Sequence, residues 1–329
     1  MYNKFGITDS RPHVLILIMK LPLGLIVTFN PSSDFFDQLD TFYTQLEQIV
    51  VIDNGSDPDV CSQLNWEVKR RESSLTVIFN ETNFGVATAL NQGFGWALEH
   101  GYRHIVAFDQ DSLPAPGMIP AMLDVFSTYA TDGYLGVVAP VIEDIRVGKR
   151  ARFLRPNRAF FFEWVDCQGR VLENVSTVIT SGALYDLETY QKIGPFKDDF
   201  FIDYVDTEYC LRARQHGYKI VVACDAHLDH RLGERQKREL LGYNHFPTFH
   251  SPVRWYYISR NRIPMLRQYA IRFPHWLLYE IVASLYTLAR MLLFERQRIS
   301  KLRAIFLGTI DGIRGRMGKA TDAALEMIE

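Results

Sequence analysis

The chain has 329 residues, of which 47% are hydrophobic and 22% are charged. This composition is typical of a globular protein with enough apolar residues for a core, and the length suggests one domain with an additional region. The formal net charge of −2 gives no support to general nucleic-acid binding.

The cysteines and the N-terminus bear on the cellular compartment. The four cysteines lie far apart with no Cys-x-x-Cys pair, which predicts neither a zinc site nor a disulfide framework and favours a reducing cytoplasm. They are Cys61, Cys167, Cys210 and Cys224. The apolar run at 14–19 is too short for a signal peptide and has no small-residue cleavage site after it. We therefore expect residues 1–21 to be an N-terminal extension.

Residues 23–109 alternate between short apolar runs and amphipathic segments. Apolar runs bounded by turn residues predict buried strands, and apolar residues spaced by three or four predict helices. The predicted strands are 23–31, 49–52, 75–79 and 105–108, and the predicted helices include 35–48 and 86–100. This alternation predicts a parallel sheet with right-handed crossovers, with the polar ends of its strands along one edge.

The pattern becomes mixed after residue 113. The predicted helices are 118–129, 187–193 and 204–216, and the predicted strands are 135–141, 178–184 and 219–223. Pro140 should limit its strand to an edge or an end of the sheet. Residues 143–175, which are rich in Arg and aromatic residues, are predicted to form a loop or an irregular hairpin. From about Pro252 we expect helices and no further strand.

The stretch 104–112, HIVAFDQDS, carries the clearest chemical signal. Asp109 and Asp111 follow a buried strand directly, at the place where open α/β sheets bind ligands. Two carboxylates in a turn, one residue apart, can bind one hard cation such as Mg²⁺ or Mn²⁺ together with substrate phosphates. The alternative is an Asp-rich turn that caps a helix.

Four motifs, in this order and spacing, resemble the family 2 glycosyltransferases with the GT-A fold. They are IVTFNP at 26–31, VIDNGS at 51–56, NFGVATALNQG at 83–93 and FDQDS at 108–112. The segment YVDTEYCLR at 204–212 makes the chain look most like bacterial rhamnosyltransferases of O-antigen and cell-wall polysaccharide synthesis. The resemblance covers about residues 22–235.

This resemblance implies an α/β fold of the GT-A type. The expected architecture is a Rossmann-like, mostly parallel sheet flanked by helices, with a C-terminal helical appendage. We expect a nucleotide-sugar-binding and catalytic domain at 22–250, and a membrane- or partner-associating helical region at 251–329.

The resemblance also assigns nucleotide-sugar-binding residues. Asp53 would accept the imide N–H of a uracil or thymine ring, although an Asp before Asn-Gly also commonly forms a turn. Asn83 and Gly85 precede a helix whose N-terminus would favour an anion, or they simply cap it. The remaining expected contacts are Thr28 and Phe29 in the base pocket, and Asp109 and Gln110 on the nucleotide sugar.

Metal ligands and a general base complete the expected site. The ligands would be Asp109, Asp111 and His230, with His227 as a nearby competitor for the imidazole position. Asp206 would be the general base, and the alternative is a carboxylate that stabilises a helix N-terminus. Asp206 and Glu208 cannot share one helix face, so only one of the two can serve the site.

The expected reaction is inverting transfer of rhamnose from dTDP-rhamnose to a hydroxyl of a polyprenyl-linked glycan. Alternatives are another donor, such as UDP-galactofuranose, UDP-glucose or UDP-N-acetylglucosamine, or a non-catalytic subunit of a polysaccharide assembly complex. No nucleic acid is expected as a partner.

Residues 275–294 have the length of a membrane span, but Glu280 and Arg290 disfavour one. A helix at the membrane surface fits the ten Lys and Arg residues between Arg254 and Arg303. The alternative is a helix packed on the catalytic domain or on a homodimer partner. The expected location is the cytoplasmic face of the bacterial inner membrane.

Overall fold

A computed structural model describes residues 21–129, 134–144, 148–157, 160–230, 238–240, 243–245 and 250–328. All of the predicted N-terminal extension except Leu21 lies outside these residues, as do residues 231–235 at the end of the stretch that the resemblance covers.

The first half of the chain forms the predicted parallel sheet. Its strands are β1 (Leu23–Thr28), β2 (Ile49–Asp53), β3 (Leu75–Phe79) and β4 (His104–Asp109), and its helices are α1 (Ser33–Phe42), α2 (Pro58–Arg71) and α3 (Val86–Glu99). Strand β1 pairs in parallel with both β2 and β4, and β2 pairs in parallel with β3. Helix α1 ends at Phe42, before the predicted residue 48, because the chain turns there and Thr44 bonds back to the Thr41 carbonyl.

The second half adds antiparallel strands and further helices. Its elements are β5 (Ser112–Pro114), α4 (Met118–Tyr129), β6 (Leu135–Asp144), β7 (Lys149–Arg150), β8 (Phe153–Asn157), β9 (Phe161–Val165), β10 (Val171–Leu172), β11 (Leu184–Asp186), α5 (Leu187–Ile193), α6 (Val205–Gln215) and β12 (Lys219–His230). Along the sheet the strand order is β10-β12-β6-β11-β4-β1-β2-β3. Strands β8 and β9 form a separate antiparallel hairpin, so the predicted hairpin within 143–175 is confirmed.

Two strand predictions are wrong. The strand predicted at 178–184 is irregular up to Leu184, because Gly182 has a φ of +77° and residues 180–183 turn. Strand β6 lies inside the sheet, between β11 and β12, although it contains Pro140. The missing N–H of Pro140 is tolerated because β11 pairs only with Val137 and Val138, and the β12 ladder shifts register just beyond Pro140.

The prediction that no cysteines pair is also wrong. Cys167 and Cys224 form a disulfide, while Cys61 and Cys210 are free. The two partners are 57 residues apart in sequence and meet because β10 pairs with β12 antiparallel. Spacing along the chain could not reveal this pairing.

Helices cover both faces of the sheet. Alternate side chains of the central strands pack against α1, α2 and α4 on one face, and against α3, α5 and α6 on the other. The alternation follows from the two-residue period of a strand, which sends neighbouring side chains to opposite faces.

The C-terminal part is helical, as predicted. After a short hairpin of β13 (Arg238–Leu240) and β14 (Tyr243–His245) come α7 (Pro252–Tyr269), α8 (Pro274–Phe294), α9 (Arg298–Arg314) and α10 (Asp322–Glu326). Met265, Tyr269, Phe273 and Trp276 belong to the same buried cluster as α3 and α6. The C-terminal helices therefore share part of their core with the α/β part of the chain.

Helix α8 has two contrasting sides. By length and composition it is apolar enough to cross a membrane, and 11% of its most apolar stretch is buried. Glu280, expected to disfavour a span, is buried and paired with Arg262. The side chains on its outer side are largely exposed and apolar, among them Ile281, Val282, Leu285 and Leu293.

Candidate active site

The carboxyl ends of three adjacent strands meet at one edge of the sheet. Thr28 at the end of β1 lies opposite Asp53 of β2, and Val27 lies opposite Asp109 of β4. The parallel register therefore places these predicted site residues side by side, as the sequence indicated.

Asp109, Asp111 and His230 form the predicted metal-binding group. One possible ligand atom from each residue lies within 4.8 Å of those of the other two. His230 Nε2 lies 3.8 Å from Asp109 Oδ2, and His230 Nδ1 lies 3.4 Å from Asp111 Oδ1. Two half-exposed carboxylates beside a buried imidazole fit a divalent cation.

His230 is positioned by the sheet and by two serines. Strand β5 pairs antiparallel with β12 and places Ser112 opposite His230. The Ser112 hydroxyl lies 2.7 Å from His230 Nδ1 and 2.6 Å from the Ser181 hydroxyl, and Ser181 accepts the backbone N–H of Asp109 at 3.0 Å. With Nδ1 held by Ser112, Nε2 is the nitrogen free to bind a metal. Ser112 ends the FDQDS motif, but its contact with His230 and the part played by Ser181 depend on pairing between distant strands and could not be predicted from the sequence.

Asp53 is placed differently from Asn54, its neighbour. Asp53 is fully buried, and its carboxylate accepts hydrogen bonds from the Thr28 hydroxyl at 3.0 Å and the Ser56 hydroxyl at 2.6 Å. It therefore ties together the ends of β1 and β2. Asn54, to which the sequence assigns no role, lines a cavity at the strand ends and donates a hydrogen bond to the Asn83 side chain. The predicted contact of Asp53 with a base stays a prediction.

The N-terminus of α3 is closely packed. Gly85 has a φ of +90°, and a Cβ there would lie 2.6 Å from the Phe201 carbonyl oxygen. The same carbonyl accepts the Val86 N–H at 2.7 Å. Asn83 accepts the Gly85 N–H at 2.9 Å. Protein groups therefore satisfy the N–H groups of Gly85 and Val86, and the predicted anion contact of Asn83 and Gly85 stays a prediction.

A cavity of about 690 Å³ lies in front of these strand ends. Phe29 lines it with a ring that is 45% exposed, and its backbone N–H donates to Gln110 at 2.8 Å. The predicted residues that line it are Thr28, Phe29, Asn83, Gly85, Asp109, Gln110, Asp111, Asp206 and His230. Its volume suits a ligand of nucleotide size.

Arg254 also lines this cavity, although the sequence groups it with the basic residues expected at a membrane surface. It lies at the start of α7, where Ser251 caps the helix, and forms a two-pronged ion pair with Asp203 at 3.0 Å. Its side chain is 44% exposed and lines the cavity together with Asp109. A guanidinium in this position suits the charge of a diphosphate.

Asp206 lies where this cavity meets a second one of about 430 Å³, and it lines both. Burial raises the pKa of its carboxyl to about 6, with a smaller contribution from nearby Asp203 and Asp109, and the Thr207 N–H at 2.7 Å opposes the rise. Glu208 points away, fully buried against Arg212 and Tyr269. The prediction that Asp206 and Glu208 do not share one helix face is confirmed, and the role of Asp206 as the base stays a prediction.

Solved structures share this architecture. The chain aligns with residues 1–349 of S. aureus TarS at a TM-score of 0.55 and 14% identity, over 90% of this chain and 82% of that one. It aligns with GalNAc-T7, solved with UDP, GalNAc and Mn²⁺, at 0.55 and 15% identity over 74% of this chain, which spans about half (48%) of that one. The fold is of the GT-A type.

Sequence comparison identifies a family 2 domain within the chain. The pattern of glycosyl transferase family 2 matches residues 33–194. The dTDP-rhamnosyl transferase RfbF of Shigella flexneri is 29% identical over 304 residues, which are 90% of this chain and 96% of that protein. This protein therefore carries a family 2 domain and is a glycosyltransferase, as the four motifs predicted.

Proposed function

We propose that the protein transfers rhamnose from dTDP-rhamnose, with inversion, to a hydroxyl of a lipid-linked glycan in bacterial polysaccharide synthesis. The observation that carries the reaction type is Asp206, a carboxyl of raised pKa at the junction of two cavities. One cavity carries the metal-binding group, and the other is open to a second substrate.

The choice of donor rests on RfbF. Its similarity to this chain extends over nearly the whole of both proteins and so includes the regions that surround the cavity. Phe29 offers an exposed ring to a base, and Arg254 offers a guanidinium to a diphosphate.

In the proposed reaction Asp206 removes the proton of the acceptor hydroxyl. The hydroxyl oxygen then bonds to the anomeric carbon on the face opposite the nucleotide, and the bond to the diphosphate oxygen breaks. The nucleoside diphosphate leaves with the electron pair of that bond. One displacement inverts the configuration, and the site needs a base but no nucleophile of its own.

Asp109, Asp111 and His230 would hold the divalent cation, Mg²⁺ or Mn²⁺. A cation bound there would neutralise the negative charge that develops on the leaving diphosphate. Ser112 holds the His230 ring through Nδ1 and leaves Nε2 on the side of Asp109.

A donor screen tests this proposal. Isothermal titration with dTDP and UDP, each with and without Mn²⁺, should give the tighter binding for dTDP with metal. Transfer from dTDP-rhamnose should exceed transfer from UDP-galactofuranose, UDP-glucose and UDP-N-acetylglucosamine. Preference for a UDP-sugar would replace rhamnose, and absence of any metal-dependent nucleotide binding would favour a non-catalytic subunit.

A further inference from the structure

The second cavity, of about 430 Å³, lies between the catalytic domain and the C-terminal helices. It shares Asp203, Tyr204 and Asp206 with the cavity of about 690 Å³ at the strand ends, which is called the donor cavity. We propose that this cavity binds the terminal, uncharged sugar of the acceptor, and that Glu280 of α8 accepts a hydrogen bond from one of its hydroxyls. This inference rests on the proposed transferase function and names the acceptor's binding site.

Glu280 has one carboxylate oxygen in use and one without a partner. The side chain is 7% exposed and lines the cavity. Oε1 accepts hydrogen bonds from the Tyr204 hydroxyl, from Arg262 Nε at 2.8 Å and from the Ser284 hydroxyl at 3.2 Å. Among the residues that the structure describes, none donates to Oε2. A carboxylate oxygen with no protein donor can accept a hydrogen bond, and a ligand hydroxyl in the cavity would supply one.

Tyr204 connects this carboxylate to the catalytic base. It lies two residues before Asp206, and its hydroxyl donates to Glu280 while accepting from Arg262 Nε at 3.1 Å. A sugar held by Glu280 is therefore held beside the helix start that carries Asp206. This proximity is what a hydroxyl about to lose its proton requires.

Aromatic rings form another wall of the cavity. Trp164 of the β8–β9 hairpin lies edge to face with Tyr279 of α8, with ring centroids 5.7 Å apart, and its side chain is 42% exposed. Trp255 and Trp276 also line the cavity. Apolar and aromatic walls with a few polar groups are typical of ligand pockets. Rings beside a hydrogen-bonding carboxylate suit a sugar, which has an apolar ring face and a polar rim.

The charges of the cavity favour a neutral ligand. Asp203 is paired with Arg254, Glu280 with Arg262, and Arg152 with Asp166. His250, whose pKa is lowered by burial to about 4, is uncharged at neutral pH. Asp206 has no cation partner among the described residues. A lipid phosphate in this cavity would face that carboxylate, so the acceptor's phosphate must lie outside it.

Direct binding of simple glycosides tests the inference. The probes are octyl α-L-rhamnoside, octyl β-D-glucoside and octyl N-acetyl-β-D-glucosaminide, added to protein loaded with dTDP and Mn²⁺ and followed by tryptophan fluorescence. At least one should bind, and undecaprenyl phosphate should not compete with it. Equal competition by the sugar-free phosphate, or no glycoside binding to protein that binds dTDP normally, overturns the inference.

Two variants locate the binding site. Glu280→Gln and Trp164→Ala should each weaken the bound glycoside at least tenfold and leave dTDP affinity unchanged. Trp164→Ala keeps the test valid if Glu280→Gln destabilises the fold through Arg262. Glu188→Gln, which removes an exposed pair with Lys192 on α5, is the matched control and should change neither affinity. Unchanged glycoside affinity in the two cavity variants overturns the inference. If the wild-type protein does not bind dTDP at all, the proposed function is overturned instead.

Discussion

Asp206 differs from the neighbouring Asp203 in forming no ion pair with a described residue, whereas Asp203 pairs with Arg254. We expect Asp206→Asn to keep donor and metal affinity but to lose transfer by about two to four orders of magnitude, the usual contribution of a positioned base. The measurement is single-turnover transfer with dTDP affinity measured in parallel. A fall in affinity with an unchanged rate per bound complex would show that Asp206 is not the base.

The raised pKa of Asp206 also predicts a pH dependence. The carboxylate must be ionised to act as a base, so kcat/KM should fall as pH drops through about 6. The folded protein holds this proton more tightly than the unfolded chain does. The stabilisation from that proton is therefore complete below pH 3.8 and lost as pH rises through about 6.

A stability measurement checks the same shift independently. Since ionised Asp206 opposes folding at pH 7.5, Asp206→Asn should have a melting temperature at that pH no lower than that of the wild type. A clearly lower melting temperature would contradict the assigned environment of the carboxyl.

Asp111 provides the test of the metal assignment. Asp111→Asn should abolish turnover and Mn²⁺-dependent nucleotide binding, because an amide is a weaker ligand for a hard cation. The fold should persist, since a turn tolerates Asn. Asp59→Asn on exposed α2 is the matched control and should keep full activity. Near-normal activity of Asp111→Asn would remove Asp111 from the site.

At the scale of the elements, α7 fixes residues 200–203, which lead into the helix that carries the proposed base, Asp206. Phe201, Asp203 and Tyr204 all have a φ near +60°, in the left-handed region that such residues rarely adopt. The buried Asn261 side chain donates to the carbonyls of Phe200, Ile202 and Asp203 at 2.8–3.0 Å. These bonds compensate for the unfavourable backbone and fix the start of α6.

Asn261→Ala should therefore reduce both stability and transfer. We expect a loss of about 2–4 kcal/mol in the free energy of unfolding, since buried carbonyls lose their donor. The rate should fall more than donor affinity does, because the base is displaced. Ser259→Ala is the control on the same helix and should be nearly neutral, as the buried Ser259 hydroxyl has no hydrogen-bond partner in the described structure. Equal effects of both variants would contradict the role of Asn261.

The parallel strands and their polar ends could be predicted from sequence because local period and turn residues determine both. The rest depends on pairing between distant segments. Strand β12 extends to His230, beyond the predicted residue 223, because β5 and β6 pair with its second half. Arg254 was counted with a basic stretch, and only the start of α7 beside Asp203 places it in the cavity.

At the scale of the whole molecule, fewer of the predicted basic residues can face a membrane surface than the sequence suggested. Four of the ten cations from Arg254 to Arg303 are engaged elsewhere. Arg254 lines the candidate active site, Arg262 pairs with Glu280, and Lys301 pairs with Glu295. The buried Arg260 donates hydrogen bonds to the carbonyls of Phe200 and Gly318. The remaining six are Arg267, Arg272, Arg290, Arg296, Arg298 and Arg303. Helices α8 and α9, which carry some of these cations, also carry exposed apolar residues, including Leu285 and Phe306.

We expect this surface to bind anionic lipid reversibly. Each basic residue near the surface contributes about 1 kcal/mol, screened by salt. Co-sedimentation with vesicles should require anionic lipid and weaken at high salt. A double variant, Leu285→Glu with Phe306→Glu, should reduce it, whereas Trp66→Glu on exposed α2 should not.

Two outcomes would contradict membrane binding. Equal binding to neutral vesicles would exclude the electrostatic attraction. No binding to either kind of vesicle, together with a dimer by analytical ultracentrifugation that Leu285→Glu dissociates, would assign the apolar surface to a second copy of the chain.

The two sides of α8 have a consequence for how this enzyme can be changed. The donor cavity is built mainly from the strand ends before residue 231, whereas Trp276, Tyr279 and Glu280 of the second cavity come from the C-terminal helices. The C-terminal helices thus supply one wall of the second cavity, while Trp164 and the start of α6 supply the rest, and Arg254 of α7 reaches the first cavity. Under the proposed function, recombination between related genes within α8 would alter the acceptor wall formed by Tyr279 and Glu280 and leave the strand ends and Arg254 unchanged.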